Sequence, residues 1–441
     1  MSRGLVIAAP GSGAGKTMIV AGLLAALRAR GVDVRAAKSG PDYIDPAFHC
    51  AASGQSCVNL DAWAMPPEQL RGLAAAQGGD LLLVEGAMGL FDGAPDAHNP
   101  MGRGAVAELA VHLGLPVVLV VDVSRAAQTA AVLAKGLADA LAARAGASGG
   151  DIYEQKMVGV ILNRVASPRH EAMLRAAFGH YGLNVLGAVP RAAVMARESR
   201  HLGLVQAGED AGLPAHLAAM AAHVAAHVDL AALQALAAPL APAATVCGLP
   251  PFGQRIAVAR DVAFAFAYPH LLEGWHRAGA VIMLFSPLAD EGPDASADAV
   301  FLPGGYPELH AGVLSGATQF RAGMAAAVVR GATVYGECGG YMVLGAGLVD
   351  ANGARHKMLG LLPVETSFEQ RKLTLGYRRL SPLGGPFGAA ARYGHEFHYA
   401  TIAHQDPENP LWQAADSLGV ELGTIGQRRG RVYGAFAHVI A

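Results

Sequence analysis

A chain of 441 residues exceeds one ordinary hydrophobic core, and at roughly 150 residues per domain two or three domains are expected. The composition is globular, and a formal net charge of -2 at pH 7 leaves no basic footprint for nucleic acid or an anionic membrane, so small-molecule chemistry is the default. The four cysteines, Cys50, Cys57, Cys247 and Cys338, are too sparse for a disulfide scaffold and lack zinc-site spacing, which points to a reducing cytoplasm.

The chain opens MSRGLVIAAPGSGAGK, where the apolar stretch is too short for a signal segment. No apolar run approaches the roughly 20 residues needed to span a bilayer, so a soluble cytoplasmic protein is expected. Short apolar runs then alternate with helix-like stretches: strand Leu5–Ala9, a helix from Lys16 to about Arg30, and strands Val34–Ala37, Leu81–Val84, Val117–Val121, Val158–Leu162 and Val185–Ala188. This alternation predicts a doubly wound α/β domain over 1–230, with ligands collecting at the carboxyl ends of the strands. From 231 the chain reads AALQALAAPLAPAATVCGLPPFGQ, the end of a helix followed by a linker placed at 231–253. Alternation restarts at Arg255–Ala259, Ala280–Leu284, Ala299–Leu302 and Thr333–Tyr335, predicting a second doubly wound α/β domain over 254–441.

The first strand runs directly into PGSGAGKT and a helix, the context a phosphate-binding loop requires. Backbone N–H groups of Gly11, Ser12, Gly13, Ala14 and Gly15 would cradle phosphate oxygens, Lys16 would neutralise them, and the Thr17 hydroxyl would ligate magnesium. Pro10 takes the place of the first glycine of G-x-x-x-x-G-K-[ST], and Gly11 stands where partition-type ATPases carry a second lysine. In LLLVEGAMGLFDG, Glu85 ends a wholly apolar strand and Asp92 follows in a glycine-bounded loop; KSGPDYIDP adds Lys38, Asp42, Tyr43 and Asp45 after the second strand. Asp45 or Asp92 alone fits a solvated turn equally well. Four acids and two lysines at strand ends instead suggest one site for metal and carboxylate chemistry.

In the second domain GECGGYMVLG puts Cys338 in a G-x-C-x-G turn between a strand and a helix. Such a turn presents a nucleophile, and the helix N-terminus is expected to lower the thiol pKa. Gly304 and Gly305 of FLPGGYPE, with Gly339, offer backbone donors for an oxyanion hole. Three histidines compete as the base: His395 and His398 in GHEFHY, and His438 in the closing YGAFAHVIA. His438 is favoured because it follows the last strand-like segment, Val432–Phe436; His395 and Glu396 are candidate substrate contacts.

Taken together these segments, in order over the whole chain, resemble the cobyrinic acid and hydrogenobyrinic acid a,c-diamide synthases. PGSGAGKT, KSGPDYIDPAFH, EGAMGLFDG, FLPGGYPELH, GECGGYMVLG, GHEFHY and His438 carry the likeness. The resemblance implies a dethiobiotin synthetase-like P-loop domain fused to a flavodoxin-like class I glutamine amidotransferase domain, with ATP and Mg2+, glutamine and a corrin polycarboxylate as reactants, and by analogy a homodimer. It implies that Lys16, Thr17, Asp42, Asp45, Glu85 and Asp92 activate a carboxylate, with Lys38 and Tyr43 near the substrate, and that Cys338 and His438 hydrolyse glutamine. The usual class pattern H-P-E is here His438-Val439-Ile440, so the third acid is unassigned: the pair works as a dyad or borrows an acid such as Glu396. Arg197, Arg200, Arg371, Lys372 and Arg378 are candidate corrin contacts by charge alone. Rival readings are cobyric acid synthase, a nickel-tetrapyrrole diamide synthase, or a partition-type ATPase with a non-catalytic second domain.

Overall fold

The computed structural model describes residues 2–146, 156–196, 199–200, 203–204, 206–243, 248–406 and 408–441; Arg197, the side chain of Arg200 and Cys247 lie outside that description. The chain divides into two compact units, 1–246 and 247–441. No helix among the described residues is long and apolar enough to cross a membrane.

The first unit is built on strands β1 (Arg3–Ala8), β2 (Val34–Ser39), β3 (Cys57–Leu60), β4 (Leu81–Glu85), β5 (Val117–Asp122), β6 (Met157–Val165) and β7 (Val185–Pro190), arranged β3-β2-β4-β1-β5-β6-β7. Every pairing along this row is parallel. A parallel sheet is covered on both faces, which is why β4 reads LLLVE with all five residues buried. Helices α1 (Lys16–Ala29), α2 (Ile44–Ser53), α3 (Pro67–Ala76), α4 (Val106–Leu113), α5 (Thr129–Gly146), α6 (Pro168–His180) and α7 (Leu213–His227) connect and flank the strands. On α1, Gly22 faces Val224 of α7; a β-carbon at Gly22 would fall 2.5 Å from a Val224 methyl, so the glycine sets how closely the helices pack.

The proposed linker at 231–253 begins inside this unit. Residues Leu230–Leu236 form α8, capped by the Asp229 side chain accepting from Ala232 N at 2.9 Å, and β8 (Ala238–Pro239) then pairs antiparallel with β1. At the other end of the stretch Phe252 already packs edge-on against Trp275, 5.2 Å between centroids. Alanine and proline composition marked the stretch as a connector, but Leu230 and Leu233 are buried and hold the helix down.

The second unit has a six-stranded sheet in the order β10-β9-β11-β12-β18-β17, from β9 (Arg255–Ala259), β10 (Val281–Phe285), β11 (Ala299–Leu302), β12 (Thr333–Glu337), β17 (Gln427–Arg429) and β18 (Val432–Ala435). All neighbours are parallel except β17. A second, antiparallel sheet follows the order β16-β15-β13-β14-β19, with β13 (Thr374–Pro382), β14 (Arg392–His398), β15 (Trp412–Ala415), β16 (Glu421–Ile425) and β19 (His438–Val439). The pattern of the sequence did not announce this sheet. Between the two lies an aromatic cluster in which Phe387 meets Tyr335 at 4.7 Å and stacks on Trp412 at 6.4 Å. Such pairs add about 0.5–1.5 kcal/mol each beyond their buried area.

Candidate functional site

The phosphate loop follows β1 at the carboxyl edge of the sheet. Gly13 and Gly15 have φ of 78° and 85°, and a β-carbon on Gly15 would lie 2.4 Å from the Asn163 amide nitrogen, so only glycine serves there. Asn163, at the end of β6, donates to the Ala14 carbonyl at 2.9 Å, and Arg164 donates to the Gly13 carbonyl at 3.0 Å while pairing with Asp122. Arg164 holds a left-handed φ of 61°, a cost sustained by these two contacts. A cleft of about 810 Å³ opens beside the loop, lined by Gly15, Asp122, Ser124, Asn163, Arg164 and Pro190 among others. It lies at the strand carboxyl ends, where ligands are expected, but Asp122, Asn163, Arg164 and Pro190 were not singled out from sequence; the only local sign was a polar Asn163-Arg164 pair closing an apolar strand.

On the other side of the loop the predicted acids and lysines converge. Parallel register places Lys38 of β2 beside Glu85 of β4. Lys38 Nζ lies 3.0 Å from Glu85, pairs with Asp45 and stands 3.6 Å from Asp42. The Thr17 hydroxyl lies 2.9 Å from Glu85 and 3.0 Å from Asp45. Burial opposes the Lys38 charge, but Asp45, Glu85 and Asp42 outweigh it and raise its pKa well above the ordinary value. Glu85 is fully buried, and against that cost Lys38 and His49 hold its pKa down at about 2. Burial pushes Asp45 up to about 7, with Lys38 opposing. His49, not singled out from sequence although it closes KSGPDYIDPAFH, is fully buried with Nε2 on Glu85.

The remaining residues of this cluster sit nearby with other partners. Asp42 caps α2 through Ile44 N at 2.8 Å, and Tyr43 is half-buried at that helix start. Asp92 accepts from Gly89 N at 2.7 Å within its own loop, and Lys16 donates to the Met88 carbonyl of the same loop. Of the other cysteines, Cys57 is buried and Cys50 only partly so.

In the second unit Cys338 sits at φ 46°, ψ -105° between β12 and α9 (Gly339–Leu344), the strained turn the motif predicts. Gly340 lets the helix lie on β11: a β-carbon there would be 1.9 Å from the Leu302 carbonyl oxygen. The expected lowering of the thiol pKa is not found. Burial drives Cys338 far up, Glu308 adds to it, and the hydrogen bond with the Gly339 backbone only partly opposes. A one-and-a-half-turn helix is a weak counterweight to a site with Cys338 at 5% exposure.

His438 and Cys338 both flank Gly304. The point a β-carbon on Gly304 would occupy lies 2.4 Å from His438 Cε1, 3.0 Å from its Nε2 and 3.3 Å from Cys338 Cβ. Gly305 N lies 3.0 Å from the β-carbon position of Gly339, so the two glycines pack closely together. Gly304→Ala would push into the imidazole and should cut glutamine hydrolysis by about 10²-fold or more, since ångström displacements cost that much; steady-state assay of glutamate release checks it. His398 instead stacks on Phe436 at 3.9 Å with Nδ1 toward the Ala400 carbonyl, and burial lowers its pKa to about 4. His395 is half-buried, paired in register opposite His438. The suggestion that the site borrows Glu396 does not match the geometry: Glu396 is buried and engaged by Arg378 at 2.6 Å. Arg378 is thereby spent in a buried ion pair rather than open to a corrin, whereas Arg371 and Lys372 are exposed. His438 Nδ1 faces a different acid, Glu337, at 3.5 Å.

A phosphate-loop unit and a nucleophile-turn unit in one chain are the makings of a glutamine-dependent amidating ligase. Family models agree: residues 5–205 match the CobQ/CobB/MinD/ParA nucleotide binding domain, and residues 255–441 match the CobB/CobQ-like glutamine amidotransferase domain. Proteins named hydrogenobyrinate a,c-diamide synthase are 55% identical in Rhodobacter capsulatus, covering 100% of this chain and 99% of that one, and 53% identical in a Sinorhizobium species, covering 99% and 98%. One of that name in Brucella abortus is 53% identical over 99% of this chain and 98% of its own. The chain belongs to the hydrogenobyrinate a,c-diamide synthase family.

Proposed function

We propose that the protein amidates the a- and c-side-chain carboxylates of hydrogenobyrinic acid or its cobalt-bearing counterpart, cobyrinic acid, using ATP and glutamine. The reading rests above all on likeness that runs through both units to relatives of that name.

A side-chain carboxylate is a poor electrophile and needs activation. The ATP phosphates would lie on the amides of residues 11–17 and on Lys16, with the nucleoside in the cleft beside Asn163 and Arg164. Magnesium fits the donor set, because Thr17, Asp45 and Glu85 bring only oxygen atoms together, and Mg2+ commonly takes one or two carboxylates plus phosphate and water. Among the described residues no group of three or more His, Cys, Asp or Glu is arranged to hold a metal ion. When bound there, magnesium supplies charge neutralisation on the phosphates. A substrate carboxylate oxygen attacks the γ-phosphorus, the bond to ADP breaks, and an acyl phosphate results, with Lys16 meeting the transferred charge.

At the other unit the Cys338 sulfur attacks the glutamine carboxamide carbon while His438 Nε2 takes the thiol proton. Because burial keeps the thiol protonated, that transfer accompanies attack rather than preceding it. The amides of Gly305 and Gly339 receive the oxyanion, together with Gly304 as the third donor of the loop. Ammonia leaves with the proton held by His438, and water hydrolyses the thioester to glutamate. The ammonia then attacks the acyl phosphate carbonyl and expels phosphate. Mass spectrometry after incubation of each corrin acid with enzyme, ATP, magnesium and glutamine tests the whole reading. Replacement of two hydroxyls by amines is expected; unaltered corrins alongside continued glutamate release would refute the substrate assignment.

A further inference from the structure

Strand β12 ends on Glu337, the residue immediately before the nucleophile, and β12 and β18 run parallel with Glu337 opposite Ala435. Three residues beyond that pairing the chain reaches His438. Adjacent strand ends thus bring together an acid and a base far apart in sequence. Glu337 and His438 are each 2% exposed. One carboxylate oxygen of Glu337 accepts from Val439 N at 2.9 Å, and the other lies 3.5 Å from His438 Nδ1. The same carboxylate therefore holds the backbone of Val439 and faces the ring of His438, while the far side of the ring, Nε2 and Cε1, turns toward Gly304 and Cys338.

Burying a carboxylate is costly unless something uses its charge. A neutral glutamine would satisfy Val439 N equally well, so the backbone bond alone does not account for an acid here. An imidazolium formed when His438 takes the thiol proton does account for it. Of the other titratable groups facing the pair, Arg378 holds Glu396, His398 is on Ala400, Glu308 acts on the thiol, and Tyr335, two residues back on β12, interacts with Glu337 itself but would be served as well by a neutral glutamine.

We propose that Glu337 is the positioning acid of the glutamine-hydrolysing site, fixing His438 with Nε2 free toward Cys338 and supplying the counter-charge when the ring is protonated. The acid comes from the residue before the nucleophile rather than from the segment after the histidine. This rests on the reading of Cys338 and His438 as the reacting pair.

Glu337→Gln in the full-length enzyme keeps the shape and the acceptor for Val439 N. The kcat for glutamine hydrolysis should fall by about 10²–10⁴-fold, with KM for glutamine within a few-fold. The acidic limb of the pH profile should move to lower pH, because the ring loses its counter-charge. Glu337→Asp should recover part of the rate, and amidation from ammonium salts should continue. A kcat within about threefold of native on an unmoved profile overturns the proposal. Should Glu337→Gln also lose the ammonia reaction, as an unfolded variant would, nitrogen-15 spectra of histidine-labelled native enzyme decide. With His438 assigned through His438→Gln, a proton on Nδ1 supports the proposal and a proton on Nε2 overturns it. If Cys338→Ala or His438→Gln retains glutamine hydrolysis, the reacting pair itself has been misassigned.

Discussion

Cys338→Ser lowers glutamine-dependent amidation by about 10⁴-fold or more and leaves amidation from ammonium salts near the native rate. A hydroxyl at this turn keeps the geometry, since the strained backbone belongs to residue 338 whatever its side chain and is held by Cys338 N on the Ala435 carbonyl at 2.9 Å. What disappears is a polarisable nucleophile able to form a thioester. Measuring kcat with each nitrogen source on one preparation checks this, and equal loss with both would join the two chemistries into one site. The protonated thiol adds a second signature: alkylation by iodoacetamide should climb with pH through neutrality without levelling, because burial holds the pKa far above that range.

Glu85→Gln has the converse effect. Amidation should fall by about 10³-fold or more with either nitrogen source, while glutamine hydrolysis in the other unit continues. Glu85 faces Lys38, His49 and Thr17 at once, so removing its charge leaves the buried Lys38 ammonium undercompensated, at a cost of about 3–5 kcal/mol to the first unit. The sign with pH follows from a folded-state pKa near 2 against an ordinary 4.5. Stability from this carboxylate is fully present above about pH 4.5 and is lost as pH falls through about 2, so native protein should show this acid-side loss and the variant should not. Urea unfolding of both at neutral and acid pH measures the difference; an unchanged midpoint at neutral pH would remove Glu85 from the ion cluster.

The parallel sheets were legible because wholly apolar runs such as Leu81–Val84 and Ala299–Leu302 leave little room for another reading. Phosphate and nucleophile loops were legible for a related reason: each follows such a run and spends glycine where a side chain would collide, as Gly15 and Gly340 do. The antiparallel sheet was not, since β13 alternates irregularly and its Arg378 is buried by pairing with Glu396 rather than by being apolar. Glu337 escaped notice for a different reason. Its meaning depends on which strand lies beside β12, and pairing with β18 is a property of register across about a hundred residues, with no local trace. The thiol pKa failed likewise: a helix start is visible in sequence, whereas the depth at which it sits is not.

The pairing of β8 with β1 has a consequence for the order of synthesis. Leu240 N donates to the Ser2 carbonyl at 2.9 Å, so the first and last segments of the nucleotide unit meet at one place. During translation the amino-terminal strand must wait for residue 240 to leave the ribosome before this closure forms. The meeting of its ends makes the nucleotide unit a natural cassette for circular permutation.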